Sequence, residues 1–492
     1  MQGYTLNKIA EIVGGRLEGD LEQPTILQIS IDSRKILNAD HALFVALAGR
    51  NTDGHQFISK AYAQGVRQFI VQQVDASSYP DALFLIVDHP LEALKKLAAY
   101  HRSLFDFPVI GITGSNGKTI VKEWLYQLLE PEYNICRSPK SYNSQLGVPL
   151  SIMLLEEQHT MGIFEAGIST VNEMEQLQKV IQPTIGLFTN IGPAHNSGFK
   201  DYEEKISEKM KLFSTCKKLV FSSDYESIAR LVPEHVEAVS WGEKEGSTYQ
   251  ILSKQFSKNQ SQIDFNTPKG RVSFVLPFTD SAYIENSLHC IVMMLELNFD
   301  KEKIQNRIST LKLLPMRLSL KYGRNDCTII DDSYSADLLS LKAALEFFRQ
   351  QESSKKRTLI ISAFDQSGMD DRQLIDELVK LIKVNKFEKV IAVGPLFLHH
   401  ITKLSRLKVE LHCFQNTEAL LTQIEGIGFS NEVILIKGAR QYQFERITYR
   451  LQGQSHRTVL EVDLNALSDN FNVFKSFLKK GTGIIPMVKA FS

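Results

Sequence analysis

The sequence predicts an α/β chain built from three units, and three observations carry that prediction. Residues 107–129 run strand, glycine-rich loop, helix: Phe107-Pro108-Val109-Ile110 leads into Gly111-Ile112-Thr113-Gly114-Ser115-Asn116-Gly117-Lys118-Thr119, and a helical pattern follows over 120–129. Near-continuous apolar runs at 161–165 and 185–190 have the composition of strands covered on both faces of a parallel sheet. The 492 residues suffice for about three domains at the usual ~100–200 residues each.

In chain order, the first block (1–104) holds short alternating segments. Residues 26–31, 42–47, 68–71 and 83–87 read as strands, and 57–64 and 90–102 as helices. The second block (105–314) contains the glycine loop and the two apolar strands. The third (315–454) alternates again, with strands at 327–330, 357–363, 389–393 and 433–437 and helices at 372–383, 417–424 and 442–452, which reads as a small open sheet of Rossmann type. Residues 452–457 are polar and read as a linker, so 455–492 begins a different pattern.

Composition excludes several classes. Lys plus Arg equals Asp plus Glu at 56 each, which removes both the basic excess of a nucleic-acid binder and an acidic solvating arm, and points to small-molecule partners. Cys136, Cys216, Cys290, Cys327 and Cys413 lie far apart with no CxxC pair, as in a reducing compartment and unlike a zinc knuckle. The N-terminus lacks the apolar core of a secretion signal, and no uncharged apolar run of about 18 residues occurs. A cytoplasmic protein without a membrane span is expected.

A glycine loop between strand and helix is a phosphate site. Backbone N–H groups around Gly114, Asn116 and Gly117 close on phosphate oxygens, the helix N-terminus adds its positive dipole end, Lys118 reaches the β/γ-phosphates and Thr119 holds Mg²⁺. The common Walker spacing would need glycine at position 112, which is isoleucine; the chain has Gly111, Gly114 and Gly117 instead. Glu165 ends one apolar strand and His195 follows another. In an open parallel sheet the C-terminal strand ends face the ligand, so both are candidates for the Mg²⁺ of a nucleotide held at Lys118. Alone, a strand-end Glu or a single His is more often structural.

The GxxGxxGKT spacing resembles the ATP loop of the Mur ligase and folylpolyglutamate synthetase superfamily, and further motifs in family order extend the resemblance to Mur ligases over about residues 1–452. Residues 189–195, Thr-Asn-Ile-Gly-Pro-Ala-His, followed by Phe199 and 206–213, are similar to two family stretches. By that match Lys209 is the lysine the family carries as a carbamate, an anionic oxygen ligand; from its neighbours alone it reads as part of a solvated, charged helix face. Asn286 and His289 fall at the family's adenine-contacting HNxxN pair, with Glu285 replacing the usual His and His289 the second Asn. Arg317 and Asp332 stand where the family touches the γ-phosphate and nucleotide, although Ser335, Asp337 and Leu338 depart from its DDSYNANP pattern. Lys437 and Arg440 lie in a VKGSR-like stretch. Ser33, Arg34 and Arg50 lie in stretches resembling those that cradle the UDP end of a precursor, and Asn143 and Ser144 in the loop that meets substrate and nucleotide.

What the resemblance implies is an ATP- and Mg²⁺-dependent ligase adding D-alanyl-D-alanine to UDP-N-acetylmuramoyl tripeptide through an acyl phosphate, with Lys118, His195, Lys209 and Arg317 as its catalytic set. The DNPR and GKGHE stretches of the relatives that add diaminopimelate or lysine are absent. Such a ligase, and a non-catalytic scaffold with a vestigial ATP site, are the alternatives; the presence of Lys118, Thr119, Glu165 and His195 counts against the scaffold. Residues 458–467 and 484–492 resemble the start of an alanine racemase barrel, in which Lys489 is the counterpart of the pyridoxal phosphate lysine. A TIM barrel needs about 250 residues, so the expectation is a ligase followed by the truncated start of a fused racemase, with pyridoxal phosphate held only in a full-length fusion.

Overall fold

The computed structural model describes residues 3–19, 24–36, 38–49, 53–192, 198–257, 260–311, 319–333, 338–350, 355–364 and 370–452, with 470, 471, 474, 477 and 478 beyond them. Its frame is three sheets. The first contains β1 (Arg16–Glu18), β2 (Gln28–Ser30), β3 (Ala42–Val45), β4 (Gln68–Val71) and β5 (Leu83–Ile86) in the order β1-β5-β4-β3-β2. The four expected strands are parallel neighbours, and β1 closes the edge antiparallel to β5. A helix at Leu6–Val13, absent from the sequence reading, starts where the Thr5 side chain accepts from Lys8 N–H and buries Leu6, Ile9 and Val13.

Helix Pro90–Ser103 ties this sheet to the next. Pro90 sits in its first turn, where the missing N–H has no intrahelical role. Near its end, His101 Nδ1 meets the Tyr4 hydroxyl at 2.8 Å and His101 Nε2 meets Leu155 O at 3.0 Å. The Arg102 guanidinium donates to Ile181 O at 3.0 Å and Gln182 O at 3.1 Å.

The central sheet holds β6 (Val109–Thr113), β7 (Ile135–Arg137), β8 (Met161–Glu165), β9 (Ile185–Phe188), β10 (Lys218–Ser222), β11 (Glu237–Gly242), β12 (Tyr249–Phe256), β13 (Ser261–Thr267) and β14 (Gly270–Leu276). Their order is β14-β13-β12-β11-β10-β9-β6-β8-β7. β6 to β12 are parallel, as expected for the apolar strands, and β13 and β14 add an antiparallel hairpin extension that the sequence reading did not contain. The third sheet, β15 (Ser319–Tyr322), β16 (Thr328–Asp332), β17 (Lys356–Ser362), β18 (Lys389–Val393), β19 (Glu410–Phe414) and β20 (Glu432–Lys437), is ordered β15-β16-β20-β17-β18-β19. Only β15 runs antiparallel. The expected last helix is shorter, Glu445–Leu451, after a separate turn at Arg440–Tyr442.

Candidate nucleotide site

The glycine loop leaves the C-terminal end of β6, flanked by β8 on one side and β9 on the other. Two of its glycines are required by geometry. Gly114 has φ 145° and Gly117 φ 82°; a Cβ on the first would collide with Thr189 Oγ1, and on the second with Asn286 Oδ1.

The chain after β9 grips the first half of the loop. Ser115 N–H donates to Asn190 O at 2.8 Å, and Asn116 N–H to Asn190 Oδ1 at 2.9 Å. Ser115 Oγ donates to Gly192 O at 3.2 Å and accepts from Gly192 N–H at 2.9 Å, while Thr189 Oγ1 donates to Asn116 O at 2.5 Å. The second half opens helix Lys118–Leu129, whose N-cap, Gly117, brings no side-chain cap. Asp201, Asp280 and Asp300 do cap their helices. First-turn N–H groups have no intrahelical partner, and with the dipole they seat an anion.

Lys118 Nζ lies over the loop, donating to Gly114 O at 2.7 Å and Ser115 O at 3.0 Å. One residue on, Thr119 Oγ1 donates to Glu165 Oε2 at 2.8 Å. Glu165 is fully buried, and its Oε1 has no hydrogen-bond partner among the described residues. A buried carboxylate oxygen without a partner is costly, and a divalent cation shared with Thr119 and phosphate oxygens removes that cost. The donor set fits Mg²⁺, which keeps waters and takes one or two carboxylates. Among the described residues no group of three or more His, Cys, Asp or Glu is placed to hold a metal ion.

Lys209 is not on a solvated face, as its charged neighbours suggest; it is 3% exposed, and its Nζ donates to Gly114 O at 3.1 Å. Burial, followed by the nearby charges of Lys118 and Lys205, holds its pKa well below the lysine range. The Lys205 Nζ itself donates to Gly192 O. Three lysines therefore converge on the loop.

The HNxxN-like residues divide. Asn286 is buried against Gly117 of the loop. His289 is a correction: it has no exposed surface, Trp241 Nε1 donates to its Nδ1 at 3.1 Å, and its Nε2 donates to Thr189 O at 2.7 Å. Burial pushes its pKa down to about 3. Both ring nitrogens are committed inside the core, so the ring buttresses the strand that grips the loop.

The other expected residues fall in separate parts of the chain. Asn143 O accepts from Gly167 N–H at 2.8 Å and Ser144 Oγ from Gly147 N–H at 3.1 Å, fixing the loop before helix Gly147–Ile152. In the first block Ser33 is buried, while Arg34 is exposed and donates twice to Asp32, at 2.9 Å each. Those bonds hold the Asp32 carboxyl below its usual range. In the third sheet Asp332 and Lys437 are register partners on β16 and β20 and form a buried ion pair. His195, Arg317, Arg50 and Lys489 lie outside the described residues, as does the Arg440 side chain.

Sequence reasoning missed Asn190, which sits inside the quoted Thr-Asn-Ile-Gly motif, and Lys122. Lys122 is fully buried one turn into the loop's helix, and its Nζ donates to Ser138 O at 2.6 Å and to Lys140 O, linking the glycine loop to the 138–144 segment. A lysine at that spacing carries no sequence signal.

Three models of known families match consecutive parts of the chain: the Mur ligase family catalytic domain at residues 25–102, the Mur ligase middle domain at 112–294, and the Mur ligase glutamate ligase domain at 316–440. The chain is 28% identical over 428 residues to a UDP-N-acetylmuramoyl-tripeptide--D-alanyl-D-alanine ligase of Rickettsia prowazekii, covering 85% of this chain and 94% of that protein. It is 25% identical over 449 residues to the ligase of the same name from Bacillus subtilis, covering 90% and 97%. Among solved structures, MurF from Acinetobacter baumannii superposes with a TM-score of 0.77 at 22% identity over 92% of this chain and 99% of that one. The ADP complex of MurF ligase from Thermotoga maritima gives 0.69 at 22% identity, covering 86% and 96%. With the glycine loop, the strand-end carboxylate and three consecutive family domains in order, the chain belongs to the Mur ligase family.

Proposed function

We infer that this chain is the ligase of peptidoglycan precursor synthesis that joins D-alanyl-D-alanine to UDP-N-acetylmuramoyl tripeptide at the expense of ATP. The chemistry is ATP-dependent amide formation. The observation that carries the nucleotide site is the Thr119–Glu165 pair beside the loop, with Glu165 Oε1 buried and unpartnered. The acceptor reading rests on the motifs of the third block and on the names of the relatives.

The tripeptide's terminal carboxylate attacks the γ-phosphate and ADP leaves; the D-alanyl-D-alanine amine then attacks the acyl carbon and phosphate leaves. Such transfer depends on positioning and charge neutralisation. Lys118 follows the γ-phosphate, the loop N–H groups hold the remaining oxygens, and Arg317 is read as a second cation on the transferring group. Thr119 and Glu165 would hold Mg²⁺, with His195 assigned to the same ion by the resemblance, and the ion would neutralise phosphate charge. Lys209 is read as a carbamate: its burial beside two other lysines favours the neutral amine, the form that adds carbon dioxide, and the anionic product suits a cation site. Ser33, Arg34 and Arg50 are assigned to the UDP end, Asn143, Ser144, Lys437 and Arg440 to the peptide side, and Asp332 to the nucleotide. The proposed location is the cytoplasm; no helix among the described residues is long and apolar enough to cross a membrane.

Residues 458–492 are read as racemase sequence fused behind the ligase, with Lys489 holding pyridoxal phosphate in the full-length fusion. Borohydride trapping of the cofactor on Lys489 in that fusion is the check, and absence of label there removes this part of the reading. For the ligase, phosphate release is measured with ATP, Mg²⁺ and the UDP-linked tripeptide, comparing D-alanyl-D-alanine with free amino acids; release only with a free amino acid overturns the assignment.

A further inference from the structure

Lys122 carries a charge where water cannot reach it. It lies one turn into helix Lys118–Leu129 with no exposed surface, a place where an unpaired ammonium is costly and an apolar side chain is not. Its three donors meet three acceptors: Ser138 O at 2.6 Å, Lys140 O, and Glu123 Oε1 at 3.0 Å. Glu123 accepts in turn from Arg137 Nε at 3.0 Å, at the end of β7. The two carbonyls belong to the turn that leads to Asn143 and Ser144, closed by Tyr142 N–H on Pro139 O at 3.0 Å. At the second position of that turn Lys140 has φ 51°, a left-handed conformation that a residue with a Cβ keeps only where its surroundings hold it. The Lys122 ammonium holds the Lys140 carbonyl.

The same segment also rests on β8 and its exit. Ser138 Oγ accepts from Glu165 N–H at 3.3 Å, and Asn143 O from Gly167 N–H at 2.8 Å. Thr119, whose hydroxyl donates to Glu165, lies three residues before Lys122, the spacing that puts two side chains on one helix face. One face of one helix therefore meets both the candidate metal carboxylate and the turn before Asn143. We propose that Lys122 is a positioning residue for the acyl substrate: it holds the 139–142 turn in its left-handed form and so fixes where Asn143 and Ser144 stand relative to the nucleotide helix. Loss of the ammonium leaves two carbonyls unpartnered and the turn free to relax. The glycine loop and Lys118 do not lean on that turn, so the effect falls on the UDP-linked peptide rather than on ATP.

This inference rests on the assignment of Asn143 and Ser144 to the peptide side, and the test separates the two. KM for UDP-N-acetylmuramoyl tripeptide, KM for MgATP and kcat are measured in phosphate release. Lys122→Met keeps the apolar stem and removes the ammonium, and is expected to raise KM for the tripeptide about tenfold, the size of one lost buried hydrogen bond, with KM for MgATP changed less than about threefold. Adding Lys140→Gly, which accepts a positive φ without strain, is expected to bring the tripeptide KM back to within about threefold of the original. Lys140 is exposed, so Lys140→Pro, whose ring sets φ at about −65°, reads the same turn where Lys122→Met fails to fold; it is expected to raise the tripeptide KM about tenfold. A tripeptide KM that is unchanged in Lys122→Met or Lys140→Pro, equal rises for both substrates, or no recovery on adding Lys140→Gly overturns the proposal while leaving the ligase reading intact. Absence of turnover of the UDP-linked tripeptide by the unaltered protein overturns both.

Discussion

At the scale of single residues, the loop gathers like charges before it meets its ligand. Lys118, Lys205 and Lys209 all donate to carbonyls of the loop or of the strand end that grips it, an arrangement that suits a polyphosphate with its metal. Lys118→Ala should lower kcat by at least about 10²-fold, the usual effect of removing a charge that stabilises the transferring group; a loss under about tenfold in phosphate release would dissociate the loop from catalysis. Lys209→Ala should be severely impaired and partly restored by added short carboxylates that occupy the carbamate's place, whereas a fully active variant would leave Lys209 a packing residue. Gly117→Ala should bind MgADP poorly in calorimetry, because the added methyl meets Asn286 and the φ of 82° is unfavourable for alanine.

Much of this centre was legible because the motif encodes contiguous geometry: Gly114, Gly117, Lys118 and Thr119 act through the local turn, and Glu165 through its place at a strand end. Asn190 was hidden for the opposite reason. It acts across 74 residues, and a hydrogen bond of that kind leaves no spacing in the sequence. His289 misled because a family position was carried over without the burial that decides its role.

At the scale of elements, helix Lys118–Leu129 is fixed by Trp124, which is fully buried and stacked on Phe278 with ring centroids 5.0 Å apart and planes 9° apart. Trp124→Ala should destabilise the protein by ~3–5 kcal/mol, the cost of emptying a large aromatic site, read as a lower midpoint in denaturant; a change below ~1 kcal/mol would show that this contact does not anchor the helix. Helix Ser281–Glu296 adds a pH dependence through His289. Its pKa falls from 6.5 to about 3 on folding, so the unfolded chain binds the proton first. Stability from this ring is full above pH 6.5 and declines as pH falls toward 3. In thermal unfolding, His289→Asn should show a shallower loss over that window; an unchanged slope would assign the acid sensitivity elsewhere.

β6, β8 and β9 were legible because burial on both faces makes them apolar throughout. The parallel β7, β10, β11, β12 and β19 and the antiparallel β13 and β14 were not read; β7 has three residues, β12 alternates buried and open only at its start, and β14 is open at its first positions. The hairpin signal was the turn Thr267-Pro268-Lys269-Gly270, with proline at its second position and Gly270 at φ 108°. Helix Leu6–Val13 was similarly small, with three buried positions over two turns behind a threonine cap.

At the scale of the whole molecule, the reaction needs a nucleotide, a sugar-linked peptide and a dipeptide brought together from three sheets. The motifs assigned to them lie on separate units, with the nucleotide residues at the β6–β8–β9 edge and Asp332 and Lys437 at the strand ends of the third sheet. Closure of the units on one another is therefore expected when MgATP analogue and UDP-linked tripeptide are both present. Small-angle scattering should show a smaller radius of gyration with both ligands than with neither; an unchanged radius would mean that the units are already arranged for reaction.

The central claim is the identity of the amine that attacks the acyl phosphate. Phosphate release, with ATP, Mg²⁺ and UDP-N-acetylmuramoyl tripeptide held constant, tests it by varying only the acceptor. Release and a UDP-linked pentapeptide are expected with D-alanyl-D-alanine, and neither with lysine, diaminopimelate or single alanine. Product formed with a free amino acid and none with the dipeptide would contradict it.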